Sequence, residues 1–182
     1  MIVGVTGTNG SGKGTVVDYL VQKGFAHYSA RDFIVEEVQR RGLPVNRDTI
    51  TVTANNLREL HGPAYVVEQL LARAGETRGD VGIESIRTVG EARVLKASGA
   101  ILIGVDADPA LRYERAVQRA SVTDAVDFDT FVAQEKRELT SEDPNKQNVL
   151  GVMALADYTL HNDGTLAELH AQVDEVLQEI TK

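Results

Sequence analysis

A run of glycines with a single lysine lies close to the start of the chain. Residues 5–15 read VTGTNGSGKGT, and Gly7 is followed after four residues by Gly12 and Lys13. Glycine lets backbone N–H groups turn toward phosphate oxygens without interfering side chains, and a lysine can neutralise the outer phosphates. An apolar, strand-like segment precedes this run and a helical pattern follows it, as a phosphate-binding loop requires. The pattern therefore predicts that a nucleoside triphosphate binds through residues Asn9, Gly10, Ser11, Gly12, Lys13, Gly14 and Thr15.

The residue after the lysine departs from the strict form of this motif. That form has Ser or Thr there to hold Mg²⁺, whereas this chain has Gly14 followed by Thr15. Either Thr15 takes the role, or water and phosphates hold most of the metal. Glu84 ends a predicted buried strand, where a carboxylate can hold a Mg²⁺-bound water; its alternative role is a charge ahead of the next helix. We therefore predict ATP and Mg²⁺ as cofactors, with Thr15 and Glu84 as the metal-binding residues.

The elements around this loop alternate between strands and helices, which predicts a parallel sheet covered on both faces. The expected fold is a three-layer α/β/α sandwich of the P-loop NTPase type with a five-stranded parallel sheet. In such sheets, ligands bind at the carboxyl ends of the strands, where the glycine loop falls. We predict strands at 2–6, 25–29, 80–84, 100–106 and 157–162, and helices at 15–23, 32–41, 48–61, 63–74, 88–98, 109–119, 128–140, 146–155 and 165–180.

Composition limits the class of protein further. The 182 residues fit a single domain, 1–182, and the absence of cysteine excludes disulfides and thiolate-bound zinc. A formal net charge of −8 argues against direct nucleic-acid binding, because such proteins usually present a basic face. The apolar runs are too short to cross a bilayer and the first residues lack a basic leader, so we expect a cytoplasmic protein without membrane contact. Monomer and homodimer both stay open.

The glycine loop also carries a family resemblance. The form GTNGSGKGT resembles the loop of adenylate kinases and related nucleoside monophosphate kinases, and RTVGEA at 87–92 resembles their Arg-Thr-x-x-Gln-Ala stretch. This resemblance implies that Arg87 binds the phosphate of the acceptor. The segment 105–119 resembles the strand and helix that lead into their lid, which implies that Arg115 and Arg119, with Arg137, close over the transferring group.

Further segments extend the resemblance along the chain. HYSARD at 27–32 resembles the start of the acceptor region of these kinases, and 162–173 resembles their turn near the donor base, which implies Asp163 and Gly164 there. The resemblance implies a helical acceptor-binding insertion at 43–76 and a short lid at about 119–137. The implied acceptor-binding residues are Ser29, Arg31, Asp32, Arg58 and Arg87.

Two of these assignments have alternatives. The arginines near the lid could instead lie on solvated helix faces and pair with Glu114, Glu135 or Glu138. Asp32 could take a proton from a hydroxyl acceptor, or it could be a structural residue at a helix start.

The expected activity is an ATP-dependent phosphotransferase that acts on a nucleoside monophosphate of the adenylate or cytidylate type, with small-molecule nucleotides as partners. One alternative is a dephospho-coenzyme A kinase, because the C-terminal segment resembles those enzymes as well. An alternative of another class is a nucleotide-dependent ATPase switch or assembly factor without a small-molecule acceptor.

Overall fold

A computed structural model describes residues 1–118 and 127–181, with the side chains of Gln134 and Arg137 excepted. Five parallel strands form one sheet in the order β2-β3-β1-β4-β5. This arrangement confirms the predicted fold class. The strands are β1 (Ile2–Gly7), β2 (Ala26–Ser29), β3 (Val81–Glu84), β4 (Ile101–Asp106) and β5 (Tyr158–His161).

Helices cover both faces of the sheet. Their apolar sides form two buried clusters, one on each face: the first includes Ile34, Leu70 and Leu95, and the second includes Leu20 and Leu169. None of the described helices is long and apolar enough to cross a membrane. The described helices are α1 (Lys13–Gln22), α2 (Ala30–Arg40), α3 (Arg47–His61), α4 (Tyr65–Gly75), α5 (Val89–Ala97), α6 (Pro109–Gln118), α7 (Phe128–Leu139), α8 (Val149–Met153) and α9 (Leu166–Ile180).

Strand register places the candidate chemistry at one edge. Within the sheet, Val5 of β1 lies beside Glu84 of β3, and Gly7 lies beside Val105 of β4. Because all five strands run in the same direction, their carboxyl ends meet at this edge. The loop after β1 and the residues after β3 therefore face the same space.

One predicted helix is much shorter than expected. The sequence pattern predicts a helix over 146–155, but α8 covers only Val149–Met153. The Asp143 side chain accepts a hydrogen bond from the Asn145 backbone (3.0 Å), which forms a turn, and the Asn148 side chain caps the helix by accepting from Gly151 N–H (2.9 Å). The predicted loop at 120–127 lies almost wholly outside the described residues.

Candidate active site

The loop between β1 and α1 is built around glycines in the left-handed region. Gly10 has φ 77° and Gly12 has φ 99°, which L side chains rarely adopt. Gly12 is also the residue that caps α1, and because it has no side chain, the N–H groups of the first helical turn are left for a ligand. The Lys13 ammonium donates to the Thr8 carbonyl at 2.6 Å, so the lysine folds back along the loop. This geometry is that of an anion-binding loop.

The loop packs closely against α6 and Asn162. A Cβ on Gly10 would lie 2.1 Å from the backbone oxygen of Arg112 in α6, and a Cβ on Gly12 would lie 2.1 Å from Nδ2 of Asn162. That amide nitrogen donates to the Ser11 carbonyl at 2.9 Å and is buried. The two glycines are therefore needed for close approach as well as for backbone shape.

A cavity of about 930 Å³ runs from this loop to α3. One end is formed by the loop and the first turn of α1, and the other by α2, α3 and the segment after β3. Five arginines line its walls, and opposite the loop the walls also include apolar residues of α2 and α3. The polar lining includes Asn9, Lys13, Thr15, Arg31, Arg47, Arg58, Glu84, Ser85, Arg87, Arg115, Glu138 and Gln147.

Arg58 of α3 is held in this wall by a buried ion pair. Its Nε and Nη2 both donate to Oε1 of Glu91, at 2.9 and 2.8 Å, and the two side chains are 1% and 0% exposed. The other oxygen of Glu91 accepts from the backbone N–H groups of Arg87 (2.8 Å) and Thr88 (3.0 Å). Glu91 thereby fixes α3 to the segment that carries Arg87. Among the described residues, Nη1 of Arg58 has no hydrogen-bond partner, although it is buried.

Two further arginines share one carboxylate. Arg47, the first residue of α3, donates from Nε to Oε1 of Glu138 at 3.1 Å. Arg87 donates from Nη1 to Oε2 of the same Glu138 at 3.3 Å and to Oε1 of Gln147 at 3.3 Å. Glu138 belongs to α7, so three elements that are far apart in sequence meet at one carboxylate.

Glu84 stands at the end of β3 within reach of the loop. Burial alone would raise the pKa of its carboxyl, but interactions with His27 and Ser29 and the charge of Lys13 lower that pKa below its ordinary value. The same contact, with 3.7 Å between His27 Nε2 and Glu84 Oε1, raises the pKa of His27. Glu84 is therefore held as a carboxylate close to Lys13. The next residue, Ser85, lies in the cavity wall with φ 65°, an uncommon backbone conformation for a residue other than glycine.

The described residues also fit the expected cofactors. Thr15 and the Glu84 carboxylate line the same cavity as Lys13, and Mg²⁺ binds oxygen ligands while keeping several waters, so two side chains from the protein suffice. Within residues 1–118 and 127–181, no group of three or more His, Asp or Glu side chains forms a separate metal site.

The cavity brings together most of the predicted site residues. It is lined by Asn9, Gly10, Gly12, Lys13, Gly14, Thr15, Arg31, Arg58, Glu84, Arg87 and Arg115, and Ser11 is buried directly beneath the loop.

Several predicted site residues do not reach the cavity. Ser29 is buried and caps α2 by accepting from Asp32 N–H at 3.2 Å, and Asp32 itself is exposed in the first turn of that helix. The Asp163 side chain accepts from Asp108 N–H at 2.7 Å, and Gly164 lies beside Glu168. Arg119 and the side chain of Arg137 are outside the described residues.

The sequence analysis missed the partners of Arg58 and Arg87. It did not single out Arg47 or Glu91, and it considered Glu138 only as a partner for arginines near the lid. Among the described residues, Glu138 pairs with Arg47 and Arg87, and Glu135 pairs with the buried Arg112. One local sequence pattern could have identified Glu91: Thr88 and Glu91 have the spacing of a capping box, and the structure contains that capping box.

Comparison with known proteins places the chain in a family. A UPF0200 protein of Methanococcus maripaludis is 30% identical over 185 residues, which cover 100% of this chain and 98% of that protein. The chain belongs to the UPF0200 family. A second member, from Hyperthermus butylicus, is 30% identical over 183 residues, with 100% of this chain and 95% of that protein covered. A scan against protein-family models gave no match.

Solved structures that resemble this UPF0200 chain share its whole fold. TT1252 from Thermus thermophilus superposes with a TM-score of 0.69 at 18% identity and covers 100% of this chain and 98% of its own. A shikimate kinase from Bacteroides thetaiotaomicron gives 0.59 at 13%, with 100% and 99% covered. A dephospho-CoA kinase from Campylobacter jejuni gives 0.56 at 14%, with 98% and 96% covered. The chain therefore has the fold of P-loop kinases.

Proposed function

We propose that this UPF0200 protein is an ATP-dependent phosphotransferase that transfers a γ-phosphoryl group to a nucleoside monophosphate. The observation that carries this proposal is the single cavity that joins the glycine loop to a wall with Arg31, Arg58 and Arg87. A donor triphosphate on the loop and an anionic acceptor on the arginines would lie in the same cavity. Phosphoryl transfer depends mainly on such positioning and on charge neutralisation.

The residues of the loop half have distinct roles in this proposal. The backbone N–H groups of residues 9–15 hold the phosphates, and Lys13 leaves its bond with Thr8 to neutralise charge on the transferring group. Bound Mg²⁺ would neutralise charge on the phosphates. Thr15 and the ionised Glu84 are the side chains that would hold the metal or its waters. Arg115 extends the positive wall toward the loop, and the roles of Arg119, Arg137, Asp163 and Gly164 stay predictions.

The acceptor half favours a substrate that is already charged. Asp32, the residue considered as a base for a hydroxyl acceptor, does not line the cavity. A phosphate acceptor needs no such base, because its attacking oxygen is already ionised. Among the described residues, the buried Nη1 of Arg58 has no partner, which costs free energy until an acceptor oxygen binds there. These features favour a nucleoside monophosphate over dephospho-coenzyme A.

A coupled kinase assay tests the proposal. The purified chain with Mg·ATP is screened against AMP, CMP, UMP, the deoxynucleoside monophosphates and dephospho-coenzyme A. We expect one nucleoside monophosphate to give clearly the highest kcat/KM. Turnover should fall about 10²–10³-fold in Lys13→Ala, because that variant loses a donor aimed at developing charge.

The matched control is Lys23→Ala, which removes an exposed lysine of the same chain that pairs with Asp174, away from the cavity. This variant should retain full turnover. A preference for dephospho-coenzyme A would replace the proposed acceptor, and slow ATP hydrolysis that no acceptor stimulates would point to the switch class. If Mg·ATP gave no heat on titration into the intact chain, the whole proposal would fail.

A further inference from the structure

We infer that the anionic group of the acceptor binds between Arg47 and Arg87, in the place that the Glu138 carboxylate holds in this structure. The inference rests on the proposed acceptor side of the cavity and adds two statements to it. It names Arg47 as a residue of the anion subsite, and it makes Glu138 an internal occupant that a ligand must displace.

The geometry shows a carboxylate bound as a ligand would be. Glu138 Oε1 accepts from Nε and Nη2 of Arg47, so the guanidinium uses two of its donors on one oxygen, and Oε2 accepts from Nη1 of Arg87. All three side chains line the cavity. Their exposed fractions are 23% for each arginine and 17% for Glu138, so the contact is largely shielded from solvent.

Both guanidinium groups face the same carboxylate, and the other partner of Arg87 among the described residues, Gln147, is neutral. A guanidinium fork matches carboxylate and phosphate oxygens equally well, so an incoming phosphomonoester can replace the carboxylate bond for bond and bring a second negative charge.

Glu138 lowers the apparent affinity of the subsite for anions. Every anion that enters must compete with Glu138, so the observed affinity is the intrinsic one multiplied by the fraction of molecules in which the subsite is open. If Glu138 fills the subsite about nine-tenths of the time, its removal tightens binding about tenfold. Glu138 thereby excludes weakly bound monoanions at ordinary concentrations and admits ligands that bind both arginines strongly.

The experiment uses inorganic phosphate as the probe and calorimetry as the readout, in a Lys13→Ala background that weakens competing binding at the glycine loop. Glu138→Gln keeps the size of the side chain and removes its charge. We expect phosphate to bind this variant about tenfold more tightly than the parent. The control Glu142→Gln removes one negative charge from an exposed residue of the following turn and should leave the affinity unchanged.

A third variant in the same background combines Arg47→Gln with Glu138→Gln and tests whether the gain in phosphate affinity depends on Arg47. If the subsite is the proposed one, this variant should lose the gain in phosphate affinity. Equal phosphate affinity with and without Glu138, or a gain that survives Arg47→Gln, overturns the inference. Because this test uses no nucleotide and no turnover, its result is independent of the proposed reaction. In the native Lys13 background, Glu138→Gln should lower the KM for the acceptor and leave the KM for ATP unchanged.

Discussion

The two halves of the cavity, proposed for donor and acceptor, present positive charge by different means. The loop half uses backbone N–H groups and Lys13, all from one contiguous stretch, and its shape depends on glycines at close approach. The acceptor half uses the guanidinium groups of Arg47, Arg58 and Arg87. In this structure each of these three groups is bonded to a carboxylate from another part of the chain.

This difference separates two ways of making a site for anions. The loop half is set by backbone conformation, so it tolerates little change in shape but does not depend on a balance of charges. The acceptor half depends on a buried charge pair, because loss of the Glu91 carboxylate leaves the buried Arg58 without its counter-charge. Changes that distort the backbone should therefore damage the loop half, and loss of this buried counter-charge should damage the acceptor half.

The largest expected effect of such a change is in the buried pair of the acceptor half. Glu91→Gln keeps a capping side chain at α5 but leaves the Arg58 charge buried without a counter-charge, so the free energy of unfolding should fall by about 3 kcal/mol. Urea denaturation measures this difference. Glu91→Gln combined with Arg58→Met removes both charges and should return to within about 1 kcal/mol of the native chain. A double variant as unstable as the single one would show that charge balance does not control this half.

The next effect concerns backbone shape in the loop half. Gly10→Ala forces a side chain into a left-handed conformation against the backbone oxygen of Arg112, so stability should fall by about 2 kcal/mol, and nucleotide binding should weaken with it. Thermal unfolding and an ATP titration measure the two results. In Gly75→Ala, the added Cβ meets nothing within 4 Å at a helical position, and the variant should be more stable by about 0.5–1 kcal/mol. Equal losses of stability in the two variants would show that backbone shape at Gly10 does not control the loop half.

The smallest effect is a pH dependence at the boundary between the halves. The pKa of His27 is raised above 6.5 by Glu84, so the protonated His27–Glu84 pair stabilises the fold fully below pH 6.5, and this contribution is lost as the pH rises through the raised pKa. The pKa of Glu84 is lowered from 4.5, so the carboxylate side of the pair is lost only in more acidic solution. The contribution should stay under about 1 kcal/mol, because His27 is partly exposed.

Urea denaturation across this pH range measures the loss, and His27→Gln should flatten the profile. If the free energy of unfolding of the native chain does not change as the pH rises through the raised pKa of His27, the His27–Glu84 pair does not contribute to stability.

Features built from one contiguous stretch of the chain could be predicted from the sequence. Strand β4, helix α9 and the glycine loop each carry their signal within a few consecutive residues, so apolar periodicity and glycine spacing located them. The predicted helix at 146–155 was too long because the turn at Asp143 and the cap at Asn148 are side-chain effects that apolar periodicity does not contain.

The acceptor half could be predicted only in part. Arg58 and Arg87 were found through a family resemblance, but their partners were not. The Arg58–Glu91 contact spans 33 residues and the Arg47–Glu138 contact spans 91. Sequence patterns within one element do not report which charges meet across such separations, because the packing of helices on the sheet decides it.

The hydrogen bond from Asn162 to Ser11 also has a consequence for how the protein is made. This bond joins the loop near the amino terminus to a residue that follows it by 151 positions. During translation, domains form as the chain emerges from the ribosome. The loop therefore acquires this support only after residues up to Asn162 have emerged, and a shorter nascent chain lacks the hydrogen bond to Ser11.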